Sequence, residues 1–122
     1  MSLIARHLEA HGLPTVIMGS AKDIAEHCGV PRFLFSDFPL GHSAGRPHDP
    51  ESQAQTLELA LRVLESAPAP RTTVQSPQRW TEDASWKLDY DNLDRMTEAE
   101  IAEKRREVDA VKDVIKAKPG RT

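Results

Sequence analysis

The side chains best suited to chemistry gather in one stretch, Asp37 to Asp49, where Asp37, His42, Ser43, Arg46, His48 and Asp49 fall within a few residues of one another. Each offers a different capability. Arg46 can clamp a carboxylate through a planar, bidentate fork. His42 can move protons near neutral pH, and Asp37 and His48 add a charge and a second imidazole. Gly41 and Gly45 let a ligand approach the backbone closely. These residues define a candidate site for a small polar molecule, with Asp37, His42, Arg46 and His48 as its substrate-binding contacts. The alternative reading is a rigid crossover loop whose polar groups cap its own turns.

Other reactive side chains carry less. His7 and His11 are four apart, a spacing that can bring two imidazoles onto one metal, but the intervening glutamate is displaced from the zincin order and no third ligand is fixed, so no metal site is expected. Cys28, the single cysteine, ends a short helical pattern, where the dipole disfavours a thiolate; it reads as a small apolar residue. Ser43 adjoins His42, but adjacency in sequence is not triad geometry. No catalytic residue and no cofactor are assigned on these grounds.

The elements that must hold the loop follow from periodicity. Leu3, Ile4 and Leu8 recur at helical spacing, with Gly12 and then Pro14 as stop signals. Thr15-Val16-Ile17-Met18 reads as a short buried strand. Ser20 is the expected N-cap of a short helix, with Asp23 in the capping-box position and Gly29 as its stop. Phe33-Leu34-Phe35 is a second buried strand, so a parallel pair joined by a right-handed crossover is predicted. After the loop, Asp49 caps a helix with Pro50 in its first turn, and Leu57, Ala60, Leu61 and Leu64 form its expected inward stripe.

The fold class is therefore α/β: a small, partial parallel sheet with flanking helices, like half of a flavodoxin, followed by a C-terminal aromatic arm and helix. The expected organisation is an α/β domain over 1–66, a proline-marked linker over 67–78, and an arm with a charged helix over 79–122. Two strands make a poor sheet, so a further strand before Met1, or another chain, is expected to complete it. In the arm, Trp80, Trp86 and Tyr90 could form a ligand platform, but aromatics on an extended arm more often anchor in a groove of a second subunit. Thr97 and Glu100 form a capping box for the last helix, whose Ile101, Val108, Val111 and Ile115 make a thin apolar seam. The run Glu98 to Lys118 is a solvated face with i,i+4 pairs such as Glu100 with Lys104. A homo-oligomer formed through arm and helix is the expected assembly.

The 122 residues suffice for one ordinary domain; 39% are hydrophobic and 29% charged, a globular composition. A formal net charge of -3 supplies no basic field for nucleic acid. No apolar run approaches a membrane span. The N-terminus lacks a signal peptide's apolar core, and one cysteine rules out an internal disulfide framework, so a cytoplasmic location is expected.

Two stretches carry a family resemblance. Ser2-Leu-Ile-Ala-Arg-His-Leu-Glu-Ala-His-Gly-Leu-Pro-Thr-Val-Ile-Met-Gly, followed by Phe35-Ser-Asp-Phe-Pro-Leu-Gly-His-Ser-Ala-Gly-Arg-Pro, resembles the glycine/sarcosine/betaine/D-proline reductase selenoprotein B family, especially its short, D-proline-reductase-like members. The resemblance spans residues 2–66, about half the chain, and its most specific part is the Pro-Leu-Gly-His…Gly-Arg-Pro loop. It implies reductive cleavage of a C–N bond in a small amino acid or amine by a selenocysteine or cysteine paired with a second cysteine. In that family the pair lies just before the first helix, where dipole and free amides favour the anion. This sequence contains no Cys-x-x-Cys and no selenocysteine, and Cys28 falls a whole strand too late. The expectation is thus a reductase-family piece whose coding region continues upstream of Met1, selenocysteine being encoded by a codon normally read as stop. The competing expectation is a non-catalytic oligomerisation or small-ligand-binding module.

Overall fold

In the computed structural model, residues 1–89, 94 and 96–117 are described, with side chains except those of residues 89 and 115–117. Tyr90, Leu93 and Lys118, and the side chain of Ile115, lie outside this set. The chain divides into two compact units, Met1–Glu82 and Asp83–Thr122.

The first unit holds three helices, α1 (Ser2–Ala10), α2 (Lys22–Cys28) and α3 (Pro50–Ser66), and three strands, β1 (Ile17–Gly19), β2 (Arg32–Phe35) and β3 (Thr72–Gln75). The strands form one parallel sheet in the order β1-β2-β3, with Met18 opposite Leu34 and Leu34 opposite Val74. The α/β class expected from the sequence is what the chain adopts. The sheet's third strand is Thr72–Gln75, inside the stretch 67–78 that reads as a linker.

Alternation along β2 sorts the core into two layers. Phe33 and Phe35 face α2, forming a cluster with Ala25, Val30 and Ile17. Leu34, fully buried, points the other way and packs with Ala60, Val63, Leu59, Val16 and Met18 beneath α3. The two crossover helices therefore lie on opposite faces while the strands step in one direction. Their hands must be opposite, and only one of the two can obey the usual right-handed rule. Gly19 permits this packing, because a Cβ there would stand 2.8 Å from the Phe33 ring.

The helix ends show where local signals sufficed. Asp49 is the N-cap of α3, its carboxylate accepting from the Ser52 N–H, with Pro50 in the first turn. Gly29 ends α2 in the left-handed conformation at φ 70°. The expected cap of α2 is displaced: Ala21 occupies the N-cap and neither Ser20 nor Asp23 forms a side-chain cap bond. The inward face of α3 also differs from the leucine stripe. Ser52, Thr56, Ala60 and Val63 are buried, whereas Leu57 and Leu61 are exposed.

Across α1, Glu9 binds Arg32 of β2 and the N–H and hydroxyl of Thr15, tying helix, turn and strand together. The Arg32 hydrogen bond is the largest influence on the Glu9 carboxyl; desolvation opposes it, and the two Thr15 bonds and the Arg32 charge add to it, leaving the carboxyl below the usual range.

The second unit contains α4 (Trp86–Asp89) and α5 (Glu98–Ala117). The capping box expected at Thr97 and Glu100 is present, with Glu100 accepting from the Thr97 N–H and hydroxyl at 2.8 Å each. No described helix is long and apolar enough to cross a membrane.

Candidate functional site

The loop between β2 and α3 leaves the C-terminal end of a parallel strand, the edge at which open α/β sheets place ligands. Its path is fixed by backbone bonds first. The Ser36 N–H donates to Gly19 and the Ser76 N–H to Phe35, extending the ladder one step past each strand. Gly41 and Gly45 adopt φ of 95° and 99°, a region that side chains other than glycine rarely enter. At Gly45 a Cβ would meet the Gln53 Cα at 2.7 Å, so the loop lies directly against the first turn of α3. His48 takes a left-handed φ of 56° without the freedom of glycine.

Arg46 is the tie between loop and helix. Its Nε donates to Asp49 Oδ2 at 3.0 Å, its Nη2 lies 2.8 Å from the same oxygen, and its Nη1 donates to the Arg79 carbonyl at 3.0 Å. The other Asp49 oxygen, Oδ1, accepts from the Ser52 N–H. That backbone bond, and next the Arg46 side chain, hold the Asp49 carboxyl below its usual range. The backbone of Arg46 is used as well: its N–H donates to Ser52 Oγ and its carbonyl accepts from Gln53 Nε2.

Beneath this tie lies a polar network that the sequence does not advertise. Ser52 Oγ donates to Gln78 Oε1, and Gln78 Nε2 donates to Thr56 Oγ1 at 2.9 Å. The Thr56 hydroxyl in turn donates to the Ser52 carbonyl at 2.8 Å. Ser52 and Thr56 are buried, and each has its hydroxyl partnered, as burial requires. The network fastens the segment after β3 to the start of α3, and so frames the loop from below.

Above it, His42 stands against Trp80, ring centroids 4.8 Å apart, and the other side of the contact is Phe38, whose ring meets Trp80 edge-on at 5.4 Å. Trp80 therefore packs against residues of its own unit.

Loop, helix and sheet together enclose an open groove of about 380 Å³, within the size range of small-molecule sites. Its walls include Met18 of β1, His42, Ser43 and Pro47 of the loop, and Gln53 and Leu57 of α3. The exposed Leu57 thus has a place: it forms an apolar wall of the groove. Of the four expected contacts, only His42 lines it. Arg46 sits behind the loop in its tie to Asp49, His48 is exposed, and Asp37 is partly buried and already partnered. Ser43 joins His42 in the lining; Gln53, Leu57 and Met18 were not singled out by sequence, because an exposed helical glutamine and two ordinary apolar residues carry no local signal.

Elsewhere, the His7 and His11 rings meet at a tilt with centroids 4.2 Å apart, and His11 Nδ1 is hydrogen-bonded to the His7 carbonyl. Among the described residues no group of three or more His, Cys, Asp or Glu side chains is arranged to hold a metal ion. Cys28 is partly buried, and its carbonyl accepts from Arg6.

No protein-family model matches the chain, and no solved structure does. The chain is similar to the D-proline reductase subunit gamma of Acetoanaerobium sticklandii, with 28% identity over 78 residues, covering 64% of this chain and 32% of that protein. The chain thus spans about a third of the length of the curated relative it matches. The match supports a distant relationship to the D-proline reductase family.

Proposed function

We propose that this chain forms the substrate-shaping part of a thiol- or selenol-dependent reductase of the selenoprotein B kind, acting on the C–N bond of a small amino acid or amine. The single observation that carries the reading is the similarity to a D-proline reductase subunit. The groove at the C-terminal end of the sheet gives it a place to act. In this reading His42 is the principal polar contact and proton donor or acceptor, and Ser43 and Gln53 orient the polar end of the ligand. Met18, Pro47 and Leu57 receive its hydrocarbon part. Arg46 contributes by holding the loop against α3; Asp37 and His48 border the site and contact a ligand only where it extends beyond the groove. A cytoplasmic location accompanies this reading, in keeping with the single cysteine.

The nucleophile is not assigned to these residues. Cys28 ends α2 and does not line the groove. The reading therefore takes the reactive sulfur or selenium from outside these 122 residues. The test is a dithiol-dependent reduction assay on a protein extended upstream in the same reading frame, offered D-proline, glycine, sarcosine and betaine. Ring opening or deamination that disappears in His42→Ala supports the reading. An upstream frame with neither a cysteine nor a selenocysteine codon before the first helix would sink it.

A further inference from the structure

The geometry points to α5 as a parallel, in-register, two-stranded coiled coil with a second copy of this chain. This is independent of the reductase reading. The helix is long for the little it buries: Val108, Val111 and Val114 are 52%, 58% and 60% exposed. A shallow channel of about 360 Å³ runs along it between Ile101, Lys104, Arg105, Val108 and Lys112. These positions follow a heptad. With Ile101 at a, Lys104 falls at d, Val108 at a and Val111 at d, and the sequence carries the register on to Ile115.

The flanking charges decide what covers the seam. Glu100 and Glu107 occupy g positions, and Arg105 and Lys112 occupy e positions. In a parallel pair each g residue faces the e residue five places on in the other helix. Glu100 then meets Arg105 of the second copy, and Glu107 meets Lys112 of the second copy, so every such contact is attractive. Reversing one helix would oppose glutamate to glutamate and cation to cation. Ile101 and Val108 at a are β-branched, as in two-stranded coils, but d holds Lys104 and Val111 in place of leucine, so the strand number is read from the measured mass. Lys104 at d weakens the seam and keeps its ammonium at the rim on a flexible stem, so the association belongs to the micromolar class and needs the full chain at high concentration to be seen.

Sedimentation equilibrium on the full chain at high micromolar concentration should give twice its 13.6 kDa mass; a monomer at every concentration overturns the inference. Glu107→Lys and Lys112→Glu, each alone, should weaken self-association about tenfold by placing like charges across the interface. An equimolar mixture of the two should recover it as a heterodimer. Variants that self-associate as tightly as the parent, or a mixture that stays monomeric, would contradict the pairing. Lys104→Cys in a Cys28→Ser background supplies a readout of direction. Mild oxidation should cross-link it within the dimer, and a dimer that resists cross-linking there has some other arrangement.

Discussion

Arg46 and Asp49 divide one carboxylate between two jobs: Oδ2 receives the guanidinium, while Oδ1 caps α3 through the Ser52 N–H. The loop and the helix it feeds are thereby fixed by the same side chain. Arg46→Lys removes the fork, since an ammonium cannot present Nε and two terminal nitrogens together. The expected outcome is a folded protein with faster amide exchange across residues 41–48, measured by hydrogen–deuterium exchange. Unchanged protection would show that the tie is incidental.

Gly45 sets the closeness of the same contact. Gly45→Ala adds a Cβ 2.7 Å from the Gln53 Cα at a φ of 99°. Backbone strain and overpacking together should cost about 2–3 kcal/mol in urea unfolding. Gly41 shares the positive φ but faces open space, so Gly41→Ala should cost clearly less.

Much of this was legible in the chain. Asp49-Pro50, Gly29 and the Thr97–Glu100 box were readable because caps depend on residues within one turn of each other. β3 was not. Thr72-Thr73-Val74-Gln75 has β-branched residues, but it lies between Pro70 and Pro77, sits at the sheet edge and buries no residue fully, so no burial alternation marks it. The inward face of α3 is hidden for a related reason. Ser52 and Thr56 go inside with partners that include Gln78, more than twenty residues on, beside the Arg46 N–H and the Ser52 carbonyl. The groove inherits the same difficulty, since Met18, His42 and Leu57 meet only once sheet and helix are assembled.

The buried network makes its own prediction. Ser52→Ala leaves the Arg46 N–H without its acceptor and Gln78 Oε1 without its donor. Stability should fall by about 1–3 kcal/mol. A double variant with Gln78→Leu should lose less than the sum of the two single losses, because Gln78 Oε1 is no longer left unpaired even though the Arg46 N–H still is; full additivity of the two losses would contradict this coupling.

Acid sensitivity should reveal the Glu9–Arg32 pair. The folded-state pKa of Glu9 is depressed, so its contribution is fully present above the ordinary glutamate value and is lost as pH falls through the lower, folded value. Parent protein should therefore lose stability more steeply than Glu9→Gln below about pH 4.5, and the two should converge in strong acid. Parallel stability curves across that range would show that the pair contributes nothing.

Trp80 offers an optical report on the groove because it stacks on His42, a lining residue. With Trp86→Phe it becomes the sole tryptophan. A ligand that displaces the His42 ring should shift its emission, and His42→Ala should abolish the response while Trp80 stays packed on Phe38.

The proposed binding of a small amino acid or amine in the groove between loop and α3 can be read by a two-dimensional amide NMR titration of the chain with D-proline, glycine, sarcosine and betaine. Saturable shifts are expected at Met18, His42 to Gly45, Gln53 and Leu57 alone, and should be lost in His42→Ala. Shifts centred elsewhere, or none with any of the four at concentrations that saturate weak sites, would contradict it.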